Sequence, residues 1–298
     1  MYDSIIIGSG PAGLTAAIYL LRAGKKVLIL EKEGIGGAIA SSPLVENYPG
    51  YISISGAELT SNMFDQADNL GVDLEMETVT KIEDGKIKKV ITYENTYETR
   101  TIIIASGSKY RTLGLENEDN LIGNGLHFCV TCDGSFYKDK VVAIVGGGNS
   151  ACVNAISMAK IAKKIYVIQN IDRLTAEESL KKELLTKSNV EIILNANVIK
   201  YLGDKEVKGL VIKQDNQEKE ILVDGIFLSI GLKPQNDFAK DLLKINPQGY
   251  IESNDCQTSI EGIYVAGDTR TKRNRQVTTA VSDGTDAALM AIDYLNKG

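Results

Sequence analysis

The chain has 298 residues, 43% apolar and 24% charged, the composition of a globular protein with room for two domains. A net charge of −6, from 33 basic and 39 acidic residues, argues against general binding to nucleic acid or an anionic membrane. No apolar run reaches transmembrane length and no secretory signal precedes the first strand, so cytoplasmic residence is expected.

An apolar strand at residues 4–7 opens the chain and leads into Gly8-Ser9-Gly10-Pro11-Ala12-Gly13, a helix over about residues 14–23, and a second strand at 26–31 ending in Glu31. This is the context a GxGxxG turn needs to hold a dinucleotide. Gly8 permits the tight turn, Gly10 lets the backbone approach a pyrophosphate, and Gly13 lets the helix pack closely on the strand. The helix N-terminus offers free N–H groups to the phosphates, and Glu31 can accept from ribose hydroxyls.

The plan repeats at residues 141–145, Gly146-Gly147-Gly148-Asn149-Ser150-Ala151, and a strand at 165–169. The distance from first glycine to the end of the second strand is the same in both, 31 − 8 = 23 and 169 − 146 = 23. Alternating segments at 86–97 and 206–227 read as meanders and hairpins, and short strands ending in glycine turns recur at 101–107 and 225–231. A third such strand, 262–268, and a final helix near 283–295 have no unit of their own and are expected to complete the first domain. The predicted fold is therefore α/β, with two Rossmann-like, three-layer ββα nucleotide-binding domains, the second inserted into the first. Residues 1–112 and 236–298 form one domain and 113–235 the other.

Cys129-Val130-Thr131-Cys132-Asp133-Gly134 lies just ahead of the second glycine turn. Four cysteines are too few for a secreted disulfide framework, so this CxxC reads as redox-active. A zinc site is disfavoured because there is no second CxxC and His127 is the lone histidine. Cys152 and Cys256 read as small buried hydrophobes. A thiol at a helix start is acidified by the free N–H groups and the dipole, which favours the attacking thiolate. From position alone, Asp133 is equally a helix cap or first-turn carboxylate and an acid serving the dithiol. His127 reads as a packing or hydrogen-bonding residue.

Gly36-Gly37-Ala38, Glu46 to Gly50, Gly267-Asp268 and Arg275-Gln276-Val277, together with Cys129 to Gly134, Gly231 to Pro234 and Ala280 to Ala288, resemble in order and spacing the low-molecular-weight thioredoxin reductases over nearly the whole chain. The resemblance implies FAD in the first domain. Its contacts would be Gly8, Ser9, Gly10, Pro11, Ala12 and Gly13, then Glu31 and Lys32, Gly36 to Ala38, and Ala105, Ser106 and Gly107. Asp268, with Gly267, would bind the ribityl or pyrophosphate part; Asn47, Arg275, Gln276 and Val277 would lie near the flavin. It further implies that Cys132 exchanges electrons with the flavin, that Cys129 attacks the disulfide of thioredoxin, and that Asp133 protonates the departing thiolate. Homodimerisation and a domain rotation with hinges near residues 112 and 233 are also implied.

The second site departs from the family. Nicotinamide-dependent members carry His-Arg-Arg after the second strand, with a further arginine four residues on, to grip the NADPH 2′-phosphate. Here the run is Gln169-Asn170-Ile171-Asp172-Arg173-Leu174-Thr175, and the three arginine positions, Asn170, Ile171 and Thr175, are uncharged. An NAD site would want an acid where neutral Gln169 stands. Val153-Asn154 also replaces the usual paired glutamates. In this the chain resembles the ferredoxin-dependent flavin thioredoxin reductases, and the expectation is that NADPH is not used and that ferredoxin docks on Lys160, Lys163 and Lys164 or on Arg270, Lys272, Arg273 and Arg275. The alternatives are an NADPH- or NADH-dependent reductase working through unrecognised contacts such as Arg173, a flavin- or zinc-holding interaction module without turnover, and another acceptor such as a peroxiredoxin system.

Overall fold

Isoleucine, valine and leucine runs without a polar face make the central strands, which bury both faces. The computed structural model describes residues 1–42 and 44–297. It divides into two units, Met1–Lys109 with Lys233–Gly298, and Tyr110–Leu232.

In the first unit the parallel strands Asp73–Glu75, Val27–Leu30, Tyr2–Ile7 and Thr96–Ile104 lie in that order. The far edge of Thr96–Ile104 is shared. Its first residues pair antiparallel with Lys88–Thr92, which continues into Val79–Glu83, and its last three pair in parallel with Ile263–Val265. Side chains alternate between two cores. Ile6, Ile29 and Ile103 meet Leu14, Leu20, Ala287 and Ala291 on the helical side. Ile5, Leu28, Ile102 and Ile104 meet Ile82 and Val90 of the meander, with Leu243 and Ile251, on the other. This is the three-layer arrangement, with helices Pro11–Arg22, Gly56–Asp68 and Val277–Lys297 supplying the helical layer.

The last helix begins at Val277, six residues before the expected 283 (283 − 277 = 6). Thr279 Oγ accepts from Gln276 N at 3.1 Å at the true start. Gly284 sits in the interior of this helix. A β-carbon there would lie 2.2 Å from Ala12 O, so glycine marks a close helix crossing. The first helix begins at Pro11 rather than Leu14, because proline at the first helical position lacks only an N–H that would have no intrahelical partner.

In the second unit five parallel strands run in the order Val190–Ile193, Lys164–Ile168, Val141–Val145, Gly225–Leu228, Leu126–His127. The strand expected ahead of the Gly231 turn spans Gly225–Leu228, and Gly231 turns with φ 102°. Ala196–Leu202, Gly209–Gln214 and Gln217–Leu222 form an antiparallel sheet whose hairpin turns at Asp215 and Asn216, φ 49° and 61°. Helix Asn149–Met158 covers one face of the parallel sheet, and Leu210 and Ile212 of the antiparallel sheet cover the other.

The duplication extends to single atoms. Gly8 N donates to Leu30 O and Gly146 N to Ile168 O, each at 2.8 Å. A β-carbon on Gly8 would stand 2.4 Å from Ala105 O, and one on Gly146 would stand 2.4 Å from Ser229 O.

Candidate active site

The first glycine turn is fixed by handedness and by space. Gly8 has φ 107°, and a β-carbon on Gly13 would lie 1.9 Å from Gly8 O. No side chain caps the helix at Gly10, so its first N–H groups are free for an anion. Gly36 and Gly37 also have positive φ, and a β-carbon on Gly37 would stand 3.2 Å from Gly10 Cα. Two bare backbones thus face each other, the surface a pyrophosphate needs. Ala38 follows in the short helix Gly37–Ser41 and is exposed.

Glu31 is buried and already surrounded. Its Oε2 accepts from Ser9 N at 2.8 Å and Ser9 Oγ at 2.7 Å; its Oε1 accepts from Lys32 N at 2.8 Å and Glu33 N at 3.0 Å. Of these four donors the rotatable Ser9 hydroxyl is the one that can yield to a ribose hydroxyl. The Lys32 side chain turns outward and donates to Gln235 Oε1 at 2.9 Å. Ala105 is buried against Gly8, and Gly107 turns with φ 65°. Ser106 Oγ donates to Asn236 Oδ1 at 3.1 Å and lies 2.9 Å from Thr269 Oγ, which ties the strand end to the returning segment.

Asp268 gives the sharpest test of fit for FAD. Its Oδ1 is buried with no hydrogen-bond partner. Burial raises its pKa, partly offset by Lys272 and Arg275. A buried acceptor left open beside a bare glycine cradle matches a polyol hydroxyl, so the residues present fit the cofactor. Asn47 Nδ2 reaches Gln276 Oε1 at 3.4 Å, which brings those two expected residues together, and Val277 opens the last helix behind them. Arg275 braces the loop. Its guanidinium donates to the carbonyls of Asp268, Arg270 and Lys272 and lies over the Tyr250 ring at 4.1 Å.

Sequence reasoning missed Asp283. Its carboxylate accepts from Gly267 N at 2.9 Å, from Arg270 Nε at 2.9 Å and Nη2 at 2.7 Å, and from Lys272 Nζ at 2.7 Å. Burial alone would raise its pKa, but the hydrogen bonds from Arg270 and Lys272 outweigh it and hold the carboxyl below the usual range. The pattern was visible only as two basic residues and an acid eleven or more positions apart, with no motif linking them. This network corrects the second docking patch: Arg270, Lys272 and Arg275 point inward to partners, and only Arg273 of the four is exposed. In the other patch Lys164 pairs with Glu191 at 2.8 Å, while Lys160 and Lys163 are exposed.

In the second unit Cys129 and Cys132 are joined in a disulfide, Cα to Cα 5.2 Å, and both are half-buried. Cys129 occupies the N-cap of the short helix Val130–Asp133, its Sγ accepting from Cys132 N at 3.2 Å. Asp133 is buried, and its side chain caps neither that helix nor the turn Gly134–Tyr137 that follows. Its Oδ2 lies 3.4 Å from His127 Nδ1 instead. His127 Nε2 is 2.7 Å from Tyr137 Oη. Burial, then the charges of Asp133 and Asp224, push the Tyr137 hydroxyl up to about 12. Cys152 and Cys256 are buried free thiols.

The second glycine turn opens on a cavity of about 530 Å³ lined by Gly146 to Ser150, Gln169, Asn170, Thr175, Asn197 and Ser229 among others, with no charged residue among its lining. Gln169 does not reproduce the carboxylate of Glu31. Its side chain lies flat on the turn, where a β-carbon on Gly147 would be 2.6 Å from its Cδ, and its Nε2 makes only a 3.4 Å bond to Arg173 O. Arg173 points to solvent and pairs with Asp172 at 3.0 Å. Glu177, bonded to Asn149 at 2.8 and 3.1 Å, puts a carboxylate beside the lining.

Among the described residues no helix is long and apolar enough to cross a membrane. The family model for pyridine nucleotide-disulphide oxidoreductases matches residues 2–284. A protein of Clostridium pasteurianum known as the 34.2 kDa protein in rubredoxin operon is 42% identical over 98% of this chain and 97% of its own. The thioredoxin reductase of Bacillus subtilis is 37% identical over 100% of this chain and 96% of its own. The crystal structure of thioredoxin reductase from Streptococcus pyogenes superposes with a TM-score of 0.96 at 38% identity, covering 100% of this chain and 99% of that one.

Proposed function

The chain belongs to the pyridine nucleotide-disulphide oxidoreductase family and is of the thioredoxin reductase type, and from that membership we propose that it is an FAD-dependent reductase of thioredoxin disulfide whose electrons come from reduced ferredoxin. One observation carries the choice of donor: the second nucleotide cavity is lined without a single charged side chain. A 2′-phosphate carries about two charges, and charge-assisted bonds from arginine supply much of the affinity for such a group. A free ribose diol asks for a carboxylate, and Gln169 provides none. The name of the Clostridium pasteurianum relative, which associates it with a rubredoxin operon, supports a one-electron iron protein as donor.

The dithiol is the outlet. FAD, when bound, accepts electrons singly and passes on a pair. The residues assigned to hold it are the bare backbones of Gly8, Gly10 and Gly37, the Glu31 carboxylate and the open Asp268 oxygen. The Cys129–Cys132 disulfide takes the electron pair through Cys132, its S–S bond opening; Cys129 as thiolate then attacks the thioredoxin disulfide, and Asp133 gives its proton to the sulfur that leaves.

The intact second glycine turn, with helix Asn149–Met158 left uncapped by any side chain, favours a second reading in which NADH or NADPH binds through backbone N–H groups alone. Anaerobic mixing decides between them. Reduced ferredoxin is expected to bleach the flavin of the holoenzyme, while stoichiometric NADPH and NADH leave it oxidised. Rapid bleaching by either nicotinamide refutes ferredoxin dependence.

A further inference from the structure

We propose that His127 is a positioning residue for the acid of the dithiol, holding the Asp133 carboxyl in place and matching its protonation state by exchanging tautomers with the help of Tyr137. The inference rests on the reading of Asp133 as that acid. It comes from three side chains of one unit. His127 is buried, sits on the strand Leu126–His127 two residues before Cys129, and contacts Asp133 Oδ2 through Nδ1 at 3.4 Å and Tyr137 Oη through Nε2 at 2.7 Å. The Nδ1 contact is the one side-chain partner of the Asp133 carboxylate among the described residues, and at 3.4 Å it is a charge-distance contact that a small ring rotation would close to a hydrogen bond.

An acid that turns over needs a partner that suits it both before and after it gives up its proton. A serine or asparagine would do so only by rotating. Imidazole does so in place, because one ring nitrogen accepts while the other donates and the two can exchange roles. While Asp133 is protonated, its O–H donates to Nδ1 and Nε2–H donates to the Tyr137 oxygen. Once Asp133 is ionised, Nδ1–H donates to the carboxylate and Nε2 accepts from the Tyr137 hydroxyl.

The surroundings are built to keep the ring there. Its plane tilts 31° to Phe227, centroids 5.5 Å apart, and Tyr137 packs edge-on to both, at 5.4 Å from each. Gly225 makes room for the Tyr137 ring, since a β-carbon there would stand 2.2 Å from it. Two further charged groups face Tyr137: Asp224, which raises its pKa, and Lys140, whose Nζ lies 5.4 Å from its ring centroid.

In the reaction served, the Cys129 thiolate attacks one sulfur of an incoming disulfide. An S–S bond forms between them, the incoming S–S bond breaks, and the departing sulfur takes its proton from Asp133. The Cys132 thiol returns a proton to the Asp133 carboxylate and attacks Cys129 Sγ, restoring the Cys129–Cys132 disulfide, and the second departing sulfur takes that proton. Two electrons pass from the dithiol to the substrate, and one proton from solvent restores the acid form of Asp133.

Holoenzyme pre-reduced with dithiothreitol, desalted and mixed anaerobically with two small disulfides tests this. An alkyl disulfide, oxidised glutathione, leaves as a basic thiolate that needs an acid. An aromatic one, 5,5′-dithiobis(2-nitrobenzoate), leaves as a stable thiolate that does not. D133N is expected to slow the alkyl disulfide about 100-fold, at the low end of general-acid contributions, and H127F and Y137F about 10-fold, with the aromatic rate within about twofold of wild type throughout. H127N, whose amide can donate where Nδ1 does but cannot exchange roles, should recover part of the H127F loss. Wild-type alkyl rates in both H127F and Y137F, with D133N slow, would overturn the inference and leave Asp133 as the acid. A wild-type rate in D133N would remove the acid reading and the inference together. Equal slowing of both disulfides would mean a general distortion and would also overturn it.

Discussion

Restoring arginines to the second cavity should create a preference for NADPH that the native chain lacks. The double variant N170R/T175R costs little. Asn170 and Thr175 are both exposed, and the one side-chain bond lost is Thr175 Oγ to Gly147 O, long at 3.4 Å. The backbone bond from Thr175 N to Gly147 O at 2.8 Å, which holds this segment against the glycine turn, is untouched. Each charge-assisted bond to a phosphate oxygen is worth about 1.5–3 kcal/mol, so two give about 3–6 kcal/mol. Solvent exposure and competition from Glu177 place the gain at the lower end. About 3 kcal/mol is roughly a hundredfold tighter binding. Equilibrium dialysis against NADPH and NADH separates the effect from general stickiness, because only NADPH carries the 2′-phosphate. The gain should be confined to NADPH and shrink with added salt. Equal strengthening of both nucleotides, or a native chain that already prefers NADPH by such a factor, would refute the argument from the uncharged lining.

Removing the buried carboxylate in D283A strands Arg270 and Lys272 and should lower stability by about 3–5 kcal/mol at neutral pH, measured by chemical denaturation. Because the folded pKa of Asp283 is depressed, its contribution is complete above the unfolded value near 3.8 and is lost as pH falls through the folded one. The gap between wild type and variant should therefore close in strong acid; parallel curves down to that range would contradict the assignment. D268N should act in opposite directions on two quantities. Without flavin it should stabilise the protein by about 1–3 kcal/mol, by replacing a carboxylate whose charge burial disfavours with a neutral amide. It should also weaken FAD rebinding to apoprotein about tenfold, as a charged acceptor becomes a neutral one. A loss in both measurements would show that Asp268 already has a partner in the empty cradle.

The parts that sequence reasoning reached are those where backbone geometry dictates residue type. Gly8 and Gly146 were legible because positive φ and a carbonyl 2.4 Å away admit no other residue, and the apolar runs around Ile5 and Val142 were legible because a strand buried on both faces has no polar side. The start of the last helix was not legible, since Gly284 answers to a neighbouring helix rather than to its own chain. The Asp283 network was hidden for a related reason. Its members are joined only by a fold that carries Arg270 and Lys272 back over the final helix. The bearing of Asp133 toward His127 was equally invisible, because a carboxylate behind a CxxC is as compatible with a helix cap as with a side chain six residues upstream.

The edge of strand Thr96–Ile104 has a consequence for how the protein is made. Its last three residues wait for Ile263–Val265, and the first glycine turn waits for the helix Val277–Lys297, whose Gly284 lies against Ala12. More than a hundred intervening residues, 110–232, form a unit with its own cores and leave the ribosome before residues 263–297 do. The inserted unit can therefore fold on the ribosome, while the opening segment of the chain must stay unsealed until synthesis is nearly complete. Flavin capture is then a final step of maturation, and the nascent N-terminal strands, with an unpaired edge for most of translation, are the portion that depends on protection in the cell.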